Sequence, residues 1–183
     1  AESGVEVNKL SPNRYSFKAN NLNESFLTGP DYLLRSRSLR GSIMLTGPLL
    51  ARLGRAVIPQ PGGDKIGRRK LDTHFLGMRK LGAELHYNDQ SGACEILADK
   101  LTGTYILLDE ASVTGTANVV MAAVMAEGKT TIYNAACEPY VQQLCKMLVR
   151  MGAKIDGIGS NLLHIEGVKA LKGTEHTILP DMV

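Results

Sequence analysis

The sequence is poor in the features that mark several classes of protein. Tryptophan is absent from its 183 residues and aromatic residues make up 5%, so platforms for stacking single-stranded nucleic acid are not expected. No apolar run approaches the roughly 20 residues of a membrane-spanning helix. The net charge is +3, with acidic residues spread along the chain, so no single-sign face for nucleic acid is indicated. We predict neither nucleic-acid nor membrane partners.

Cysteine is also scarce. The three cysteines, Cys94, Cys137 and Cys145, are odd in number and form no CxxC pair. Cys145 lies in an apolar helical pattern, which favours buried free thiols, whereas Cys137 lies near a strand end and can be partly exposed. Free thiols are typical of a reducing cytoplasm, which is the predicted location. The four histidines have no acidic partners at ligand spacing, so we predict no metal and no cofactor.

What the chain does contain is a repeated pattern. Gly-Val-Glu-Val at 4–7 recurs as Gly-Ala-Glu-Leu at 82–85 and as Gly-Ala-Lys-Ile at 152–155. Each phrase is typical of a glycine that ends a helix and is followed by a strand. The spacing of roughly 70–80 residues is longer than a common solenoid repeat, so each repeat is predicted to be a small α/β subdomain. Second strands are predicted after a turn at 14–18, 94–97 and 162–165.

Two apolar segments between these phrases, 42–53 and 116–126, are predicted to be helices. They are apolar nearly all round, which is typical of helices buried inside a domain. The first contains Gly47-Pro48, and each is predicted to end at a glycine, Gly54 or Gly128. Strands at 56–58 and 130–133, and then amphipathic helices at 71–81 and 140–151, are predicted to follow.

Each repeat thus runs helix, strand, helix, strand, strand. The first repeat lacks its own buried helix, which favours a chain that is a piece of a longer protein. We predict that residues 1–34 are the tail of one unit, 35–105 a second unit, 106–170 a third, and 171–183 the start of a link.

The most distinctive stretch is the loop at 61–74, Pro-Gly-Gly-Asp-Lys-Ile-Gly-Arg-Arg-Lys-Leu-Asp-Thr-His, which leads into a helix. Its glycines permit close backbone approaches, and Asp64 is an acid set among four cations. Clustered cations with one carboxyl group suit an anionic substrate and proton transfer. The charge alone is equally compatible with a solvated surface loop, so the order of the residues is the more informative feature.

That order resembles the active-site loop of the UDP-N-acetylglucosamine enolpyruvyl transferase family. Leu-Arg-Gly-Ser at 39–42, before Gly-Pro-Leu at 47–49, resembles the arginine-bearing helix start of the family. Ala-Ser-Val-Thr-Gly-Thr at 111–116 resembles its nucleotide-contacting turn. The resemblance covers essentially the whole chain, and three ordered motifs at matching spacing carry it.

The resemblance implies an α/β fold of the inside-out barrel type, in which repeated βαβαββ units bury their helices and place their sheets outside. The family moves the enolpyruvyl group of phosphoenolpyruvate to the 3-hydroxyl of UDP-N-acetylglucosamine and releases phosphate, the first committed step of peptidoglycan synthesis. It needs no metal. The chain would be most of the first of two such domains, with the second domain as its partner. Because the family's site lies between the domains, this chain alone is expected to be inactive, and its exposed apolar surface to favour self-association.

Asp64 occupies the position where most family members carry a cysteine, the residue assigned to proton donation and alkylated by fosfomycin. A carboxyl group can donate the proton if the closed site raises its pKa, but it is a poor target for an epoxide. The resemblance therefore implies an active enzyme that is insensitive to fosfomycin. A turn-forming role after two glycines is the plainer alternative.

The other site residues are also implied by the resemblance. Arg40 would meet phosphoenolpyruvate and the sugar nucleotide, and Arg69 would contact phosphate and flank the uracil ring, since guanidinium groups match such anions. Two positions depart from the family pattern: Lys70 replaces a usual proline, and Glu110 stands where some members carry a lysine. The remaining predicted contacts to the nucleotide are Lys70, Leu71, Asp72, Thr73 and His74 near the uridine, and Ser112 and Val113 at the diphosphate.

Three alternatives stay open at this point. 5-Enolpyruvylshikimate-3-phosphate synthase shares the fold and chemistry, although its loops differ from the one at 61–64. A sugar-nucleotide sensor on the same scaffold would have no need of the acid at Asp64. A nucleic-acid-binding role for the basic loop would require a steep salt dependence of affinity.

Overall fold

The computed structural model describes residues 2–59, 71–90 and 92–180. Asp64, Arg69 and Lys70 lie outside these ranges. In chain order the elements are β1 (Glu6–Ser11), β2 (Arg14–Lys18), α1 (Glu24–Leu27), α2 (Pro30–Ser38), a 3₁₀-helix (Arg40–Leu45), α3 (Thr46–Leu53), β3 (Arg55–Pro59), α4 (Asp72–Lys80), β4 (Glu84–Asn88), β5 (Ala93–Leu97), β6 (Tyr105–Leu107), α5 (Val113–Ala123), β7 (Lys129–Tyr133), α6 (Pro139–Arg150), β8 (Lys154–Asp156) and β9 (Leu162–Glu166).

The two larger sheets repeat one arrangement. The first has the strand order β3-β5-β4 and the second β6-β7-β9-β8. In the first sheet Arg55 of β3 and Glu84 of β4 both lie opposite Leu97 of β5. In the second, Lys129 of β7 and Lys154 of β8 both lie opposite Glu166 of β9. The same antiparallel register in both sheets confirms the repeat predicted from the glycine phrases.

The prediction is also confirmed for two of the helix-ending glycines. Gly82 and Gly152 have φ of +100° and +107°, angles that glycine adopts without the clash that a Cβ would cause. The following amides close the same turn in both repeats: Ala83 N–H donates to the Met78 carbonyl at 3.0 Å, and Ala153 N–H to the Leu148 carbonyl at 2.9 Å. These bonds satisfy carbonyls that the helix end leaves unpaired.

Helix α5 lies at the centre of the molecule and packs against α3, α4 and α6. Gly115 to Val120, Ala122 and Ala123 are all buried, and close approach of α4 requires Gly77, because a Cβ there would lie 2.1 Å from Val119 Cγ2. The strands of the second sheet alternate between core and solvent, as β7 shows, whereas β3 of the first sheet is buried from Ala56 to Pro59. Buried helices with sheets outside are the architecture expected of an inside-out α/β barrel.

The segment 42–53 was predicted to be one helix, and this is wrong. The structure has the 3₁₀-helix Arg40–Leu45 and then α3. Pro48 has no N–H to give to the Met44 carbonyl. The Gly47 N–H bonds to the side chain of Asn118 at 2.9 Å, away from its own helix. The helical hydrogen-bond ladder is therefore interrupted before α3.

The predicted end of the second buried helix is likewise wrong. Gly54 does cap α3 in the left-handed conformation, but α5 ends at Ala123 with Val124 as its C-cap. The residues that follow leave the helix axis, because the Glu127 N–H donates to the Leu101 carbonyl at 2.8 Å. Gly128, with φ of +91°, instead leads into β7.

The two units differ in how they begin. The third has all six elements of the βαβαββ pattern, because β6 runs parallel to β7 before α5. Ahead of the second unit's 3₁₀-helix the chain instead forms α1 and α2, and α2 packs beside β3. The unit boundaries at 34/35, 105/106 and 170/171 stay predictions. No helix in the part of the chain that the structure describes is both long and apolar enough to cross a membrane.

Candidate active site

Three helix starts meet at one end of the molecule. Arg40 opens the 3₁₀-helix, Asp72 opens α4, and Ser112 is the N-cap of α5. The starts of α4 and α5 are in tight contact, because a Cβ on Gly115 would lie 2.8 Å from Thr73 Cγ2. Helix N-termini carry partial positive charge and unpaired N–H groups, so this end of the molecule suits an anionic ligand.

Asn118 of α5 connects these helix starts. Its side chain is fully buried, and its Oδ1 accepts the Gly47 N–H at 2.9 Å. Its Nδ2 donates to the Ile43 carbonyl at 2.8 Å and lies 2.8 Å from His74 Nδ1. In a continuous α-helix Gly47 N–H and the Ile43 carbonyl would pair with each other. Here the Asn118 amide bonds to both groups instead, and so connects the residues on either side of the break before α3.

His74 is held neutral in this environment. Burial, and after it the charge of Arg40, lower the pKa of His74 to about 4. Its ring is 2% exposed, with Nδ1 facing Asn118 Nδ2 and Nε2 lying 3.2 Å from Thr114 Oγ1. Because a neutral imidazole has one donor and one acceptor, the ring can bind both neighbours only in one tautomer.

The start of α5 forms a second polar group. Ser112 Oγ accepts the Gly115 N–H at 3.2 Å, which caps the helix. Thr73 Oγ1 lies 2.8 Å from Asp109 Oδ1 and 3.3 Å from Glu110 Oε1. The Glu110 carboxylate, at the position where some family members carry a lysine, therefore lies against the first turn of α4.

The described residues bring most of the predicted site together. Arg40 is half-buried and close enough to His74 to affect its pKa. Leu71 is the N-cap of α4 and is half-buried, as is Val113, the first residue of α5. Thr73 and His74 are buried. Asp64, Arg69 and Lys70 lie outside the described residues, between β3 and α4, and the roles proposed for them stay predictions.

Two residues of this end were missed by the sequence reading, namely Thr114 and Asn118. A signal for Asn118 was available: one amide side chain stands in an Ala-, Val- and Met-rich helix, and buried polar groups need hydrogen-bond partners. Thr114 lies one turn earlier on the same face of α5. Within residues 2–59, 71–90 and 92–180 no group of three His, Cys, Asp or Glu side chains is arranged to hold a metal.

A large cleft lies elsewhere. It has a volume of about 1010 Å³ and is lined at the opposite ends of α3 and α5 by residues such as Gly54, Glu127 and Gly167. Helix C-termini present carbonyl oxygens, which disfavour anions. None of the predicted site residues that the structure describes lines this cleft, so the meeting point of the helix starts is the better candidate site.

Comparison with known proteins identifies the class. The family model of EPSP synthase (3-phosphoshikimate 1-carboxyvinyltransferase) matches residues 2–183, and the chain belongs to this family. The fold is similar to that of the enolpyruvyl transferase NikO from Streptomyces tendae, with a TM-score of 0.73 and 18% identity over 93% of this chain and 39% of that one. EPSP synthase from Acinetobacter baumannii aligns with a TM-score of 0.65 and 20% identity over 94% of this chain and 38% of that one. These structures confirm the fold.

Relatives of higher identity carry a more particular name. UDP-N-acetylglucosamine 1-carboxyvinyltransferase of Bacteroides thetaiotaomicron is 63% identical over 182 residues, 100% of this chain and 42% of its own length. The protein of the same name from Porphyromonas gingivalis is 58% identical over 180 residues, 98% of this chain and 42% of its own length. The resemblance inferred from the sequence is thereby confirmed. The chain spans about two fifths of the length of these curated relatives.

Proposed function

We propose that this chain is part of a UDP-N-acetylglucosamine 1-carboxyvinyltransferase. The observation that carries the proposal is the 63% identity, over the whole chain, to relatives of that name. The whole enzyme would transfer the enolpyruvyl group of phosphoenolpyruvate to the 3-hydroxyl of UDP-N-acetylglucosamine, with release of phosphate. The product would enter peptidoglycan synthesis.

The proposed chemistry requires cations for phosphoenolpyruvate. Its phosphate and carboxylate would be met by the guanidinium groups of Arg40 and Arg69, whose forked geometry suits both anions. Asp64 would give the methylene carbon its proton and accept one back on elimination. Support for Arg40 comes from its position at a helix start, where the partial positive charge of the unpaired N–H groups adds to that of the guanidinium.

The sugar nucleotide would lie against the starts of α4 and α5. We assign the uridine to Leu71, Asp72, Thr73 and His74, with Lys70 beside them, and the diphosphate to Ser112 and Val113. The packing of Thr73 against Gly115 supports one continuous surface for both parts of the ligand. Glu110 adds a negative charge at its edge, so the diphosphate would be held by N–H groups and guanidinium groups.

The remainder of the polypeptide would provide the other wall of the site, so this chain alone would not turn over substrate. We propose a cytoplasmic location on the basis of three cysteines that are all free thiols. No cofactor is required by the reaction. Self-association of this chain through exposed apolar residues such as Phe17, 70% exposed, remains part of the proposal.

The test is phosphate release by the complete polypeptide with phosphoenolpyruvate, assayed with each of two acceptors. Release with UDP-N-acetylglucosamine and its collapse in Asp64→Ala would support both the transferase and the acid. Release that is unchanged in Asp64→Ala would retain the reaction and remove Asp64 as the acid. Release only with shikimate 3-phosphate would assign the other activity of the family, and release with neither acceptor would leave a sugar-nucleotide-binding protein.

Fosfomycin offers a matched pair of measurements on the same enzyme. The wild type is expected to keep its activity after incubation with the epoxide, because a carboxylate is a poorer nucleophile than a thiolate. Asp64→Cys is expected to be inactivated progressively, since it restores the thiol that most of the family carries. Rapid inactivation of the wild type would contradict the assignment of Asp64.

A further inference from the structure

The interruption before α3 leaves two backbone groups without their usual partners. Gly47 N–H donates to Asn118 Oδ1 at 2.9 Å. The Ile43 carbonyl accepts from Asn118 Nδ2 at 2.8 Å, and also from the Thr46 N–H and from Thr46 Oγ1 at 2.7 Å. Gly47 is required at this approach, because a Cβ there would lie 2.4 Å from the Asn118 carbonyl oxygen. One side chain of α5 therefore ties the end of the 3₁₀-helix that begins with Arg40 to the first turn of α3.

The same two contacts fix the direction of the amide. Gly47 N–H can only donate and the Ile43 carbonyl can only accept, so Oδ1 faces Gly47 and Nδ2 faces Ile43. The second hydrogen of Nδ2 then points at His74 Nδ1, 2.8 Å away. Nδ1 must be the acceptor, which leaves the ring proton on Nε2, directed at Thr114 Oγ1 at 3.2 Å.

Thr114 stands at the ligand side of this chain of hydrogen bonds. The stretch Ser-Leu-Arg-Gly-Ser at 38–42 and the stretch Ser-Val-Thr-Gly-Thr at 112–116 are related by the same offset as the paired strand residues Arg55 and Lys129. Thr114 is therefore the third-unit counterpart of Arg40. Thr114 is exposed, and a hydroxyl that accepts from His74 Nε2 can direct its own proton outward.

We propose that Asn118 is a positioning residue of this site: it holds the turn that carries Arg40 and fixes His74 with its proton on Nε2, so that Thr114 presents its hydroxyl proton to the bound ligand. The inference rests on the proposed function for the identity of that ligand, a nucleoside diphosphate sugar. The contacts that define the chain of hydrogen bonds do not depend on it. Asn118 itself, fully buried, would never touch substrate.

The experiment combines the ring tautomer of His74 with steady-state kinetics in the complete polypeptide. Nitrogen-15 NMR of labelled histidine is expected to show Nε2 protonated and Nδ1 bare in the wild type at neutral pH. In Asn118→Asp the second carboxylate oxygen can only accept, so the proton is expected on Nδ1. Displacement of Arg40 and Thr114 is expected to raise KM for phosphoenolpyruvate and for UDP-N-acetylglucosamine by about 10–100-fold.

Three further variants separate positioning from stability. Leu148→Ala removes a buried side chain of α6 and is expected to lower the stability while keeping the His74 tautomer and both KM values. Thr114→Val, which keeps the shape and removes the hydroxyl, should raise KM for the sugar nucleotide alone, and Thr114→Ser should restore it. These patterns are ones that general destabilisation cannot produce.

Three results would overturn the proposal: a wild-type His74 with its proton on Nδ1, a folded Asn118→Asp with unchanged tautomer and KM values, or a Leu148→Ala that reproduces its kinetic defect. The wild-type tautomer decides the first of these even if Asn118→Asp does not fold. Absence of activity and of UDP-N-acetylglucosamine binding in the wild type would instead count against the proposed function. The two failures are therefore distinguishable.

Discussion

The second and third units share one sheet register but begin their buried helices differently. α5 starts directly after Ser112, whose hydroxyl accepts the Gly115 N–H at 3.2 Å. α3 has no side-chain cap of its own, and the break before it is bridged by Asn118 from α5. The third unit thus completes its helix start with its own residues, whereas the second uses a side chain from its neighbour.

The difference extends to the amphipathic helices. His74 of α4 and Leu144 of α6 are related by the same offset as Gly82 and Gly152, and only the second unit places a buried imidazole there. A buried polar group is costly unless it is hydrogen-bonded, and Asn118 and Thr114 supply those bonds. Polar groups of the proposed site thus replace apolar packing in the second unit, and the third unit supplies their hydrogen-bond partners.

The largest expected effect is on the pH dependence of stability. The pKa of His74 is lowered to about 4 by burial and by Arg40. The His74 ring therefore binds a proton more tightly in the unfolded state than in the folded state. The free energy of unfolding is therefore expected to fall as the pH drops from about 6.5 to about 4, by on the order of 3 kcal/mol in total, and to level off for this group below that. Urea unfolding across this range measures it.

The matched control is His74→Gln, which removes the titrating ring. The variant is expected to be less stable at neutral pH but to show a shallower loss between pH 6.5 and 4. Carboxyl groups titrate in both proteins and cancel in the difference. Identical pH slopes would mean that His74 is not buried and neutral in solution.

A second prediction concerns the close contact of α3 with α5. Gly47→Ala would place a Cβ 2.4 Å from the Asn118 carbonyl oxygen, and backbone atoms cannot move aside as a flexible side chain does. The gain of up to about 1 kcal/mol in helix propensity is expected to be outweighed, for a net loss of about 2 kcal/mol in the free energy of unfolding.

The comparison for Gly47→Ala is Gly41→Ala, also in the second unit. Its added Cβ would meet only Leu39 Cγ, at 3.8 Å, so the free energy of unfolding should change by less than about 0.5 kcal/mol. Equal losses in the two variants, measured by urea unfolding, would show that the helix approach is looser than the structure indicates.

Substitutions of Ser112 test the N-cap of α5, which the third unit forms from its own residues. Ser112→Ala leaves the Gly115 N–H without its side-chain acceptor and should cost about 1 kcal/mol. Ser112→Asp retains an acceptor at the N-cap and should retain most of the stability. The measurement is the thermal unfolding midpoint of the two variants under the same conditions. Equal midpoints would contradict a capping role for Ser112.

The smallest expected effect is that of Pro48→Ala, which gives α3 the residue type found at the corresponding Ala122 of α5. The free energy of unfolding should fall by less than about 1 kcal/mol, mostly because the unfolded chain gains freedom. The 3₁₀-helix should persist, because Asn118 still occupies Gly47 N–H and the Ile43 carbonyl. Backbone chemical shifts typical of a continuous α-helix over 40–53 would assign the break to Pro48 instead.

Much of the fold could be predicted because its signals are local. Glycines such as Gly82 and Gly152 mark helix ends wherever a positive φ is required, and apolar runs mark buried elements by their period. The errors fell where a distant residue competes with the local pattern. Nothing near Gly47 in the sequence indicates that its N–H bonds to a residue 71 positions away, and α5 ends before Gly128 because Glu127 pairs with Leu101.

The candidate site divides in the same way. The family, the repeat, and the residue types that meet at Arg40, Asp72 and Ser112 could be recognised from ordered motifs in the sequence. The three-dimensional arrangement was needed to find that Asn118 bonds to both sides of the break before α3 and that His74 is buried and neutral. These properties are set by hydrogen-bond partners that lie 40 to 75 residues apart, which no local pattern of side chains encodes.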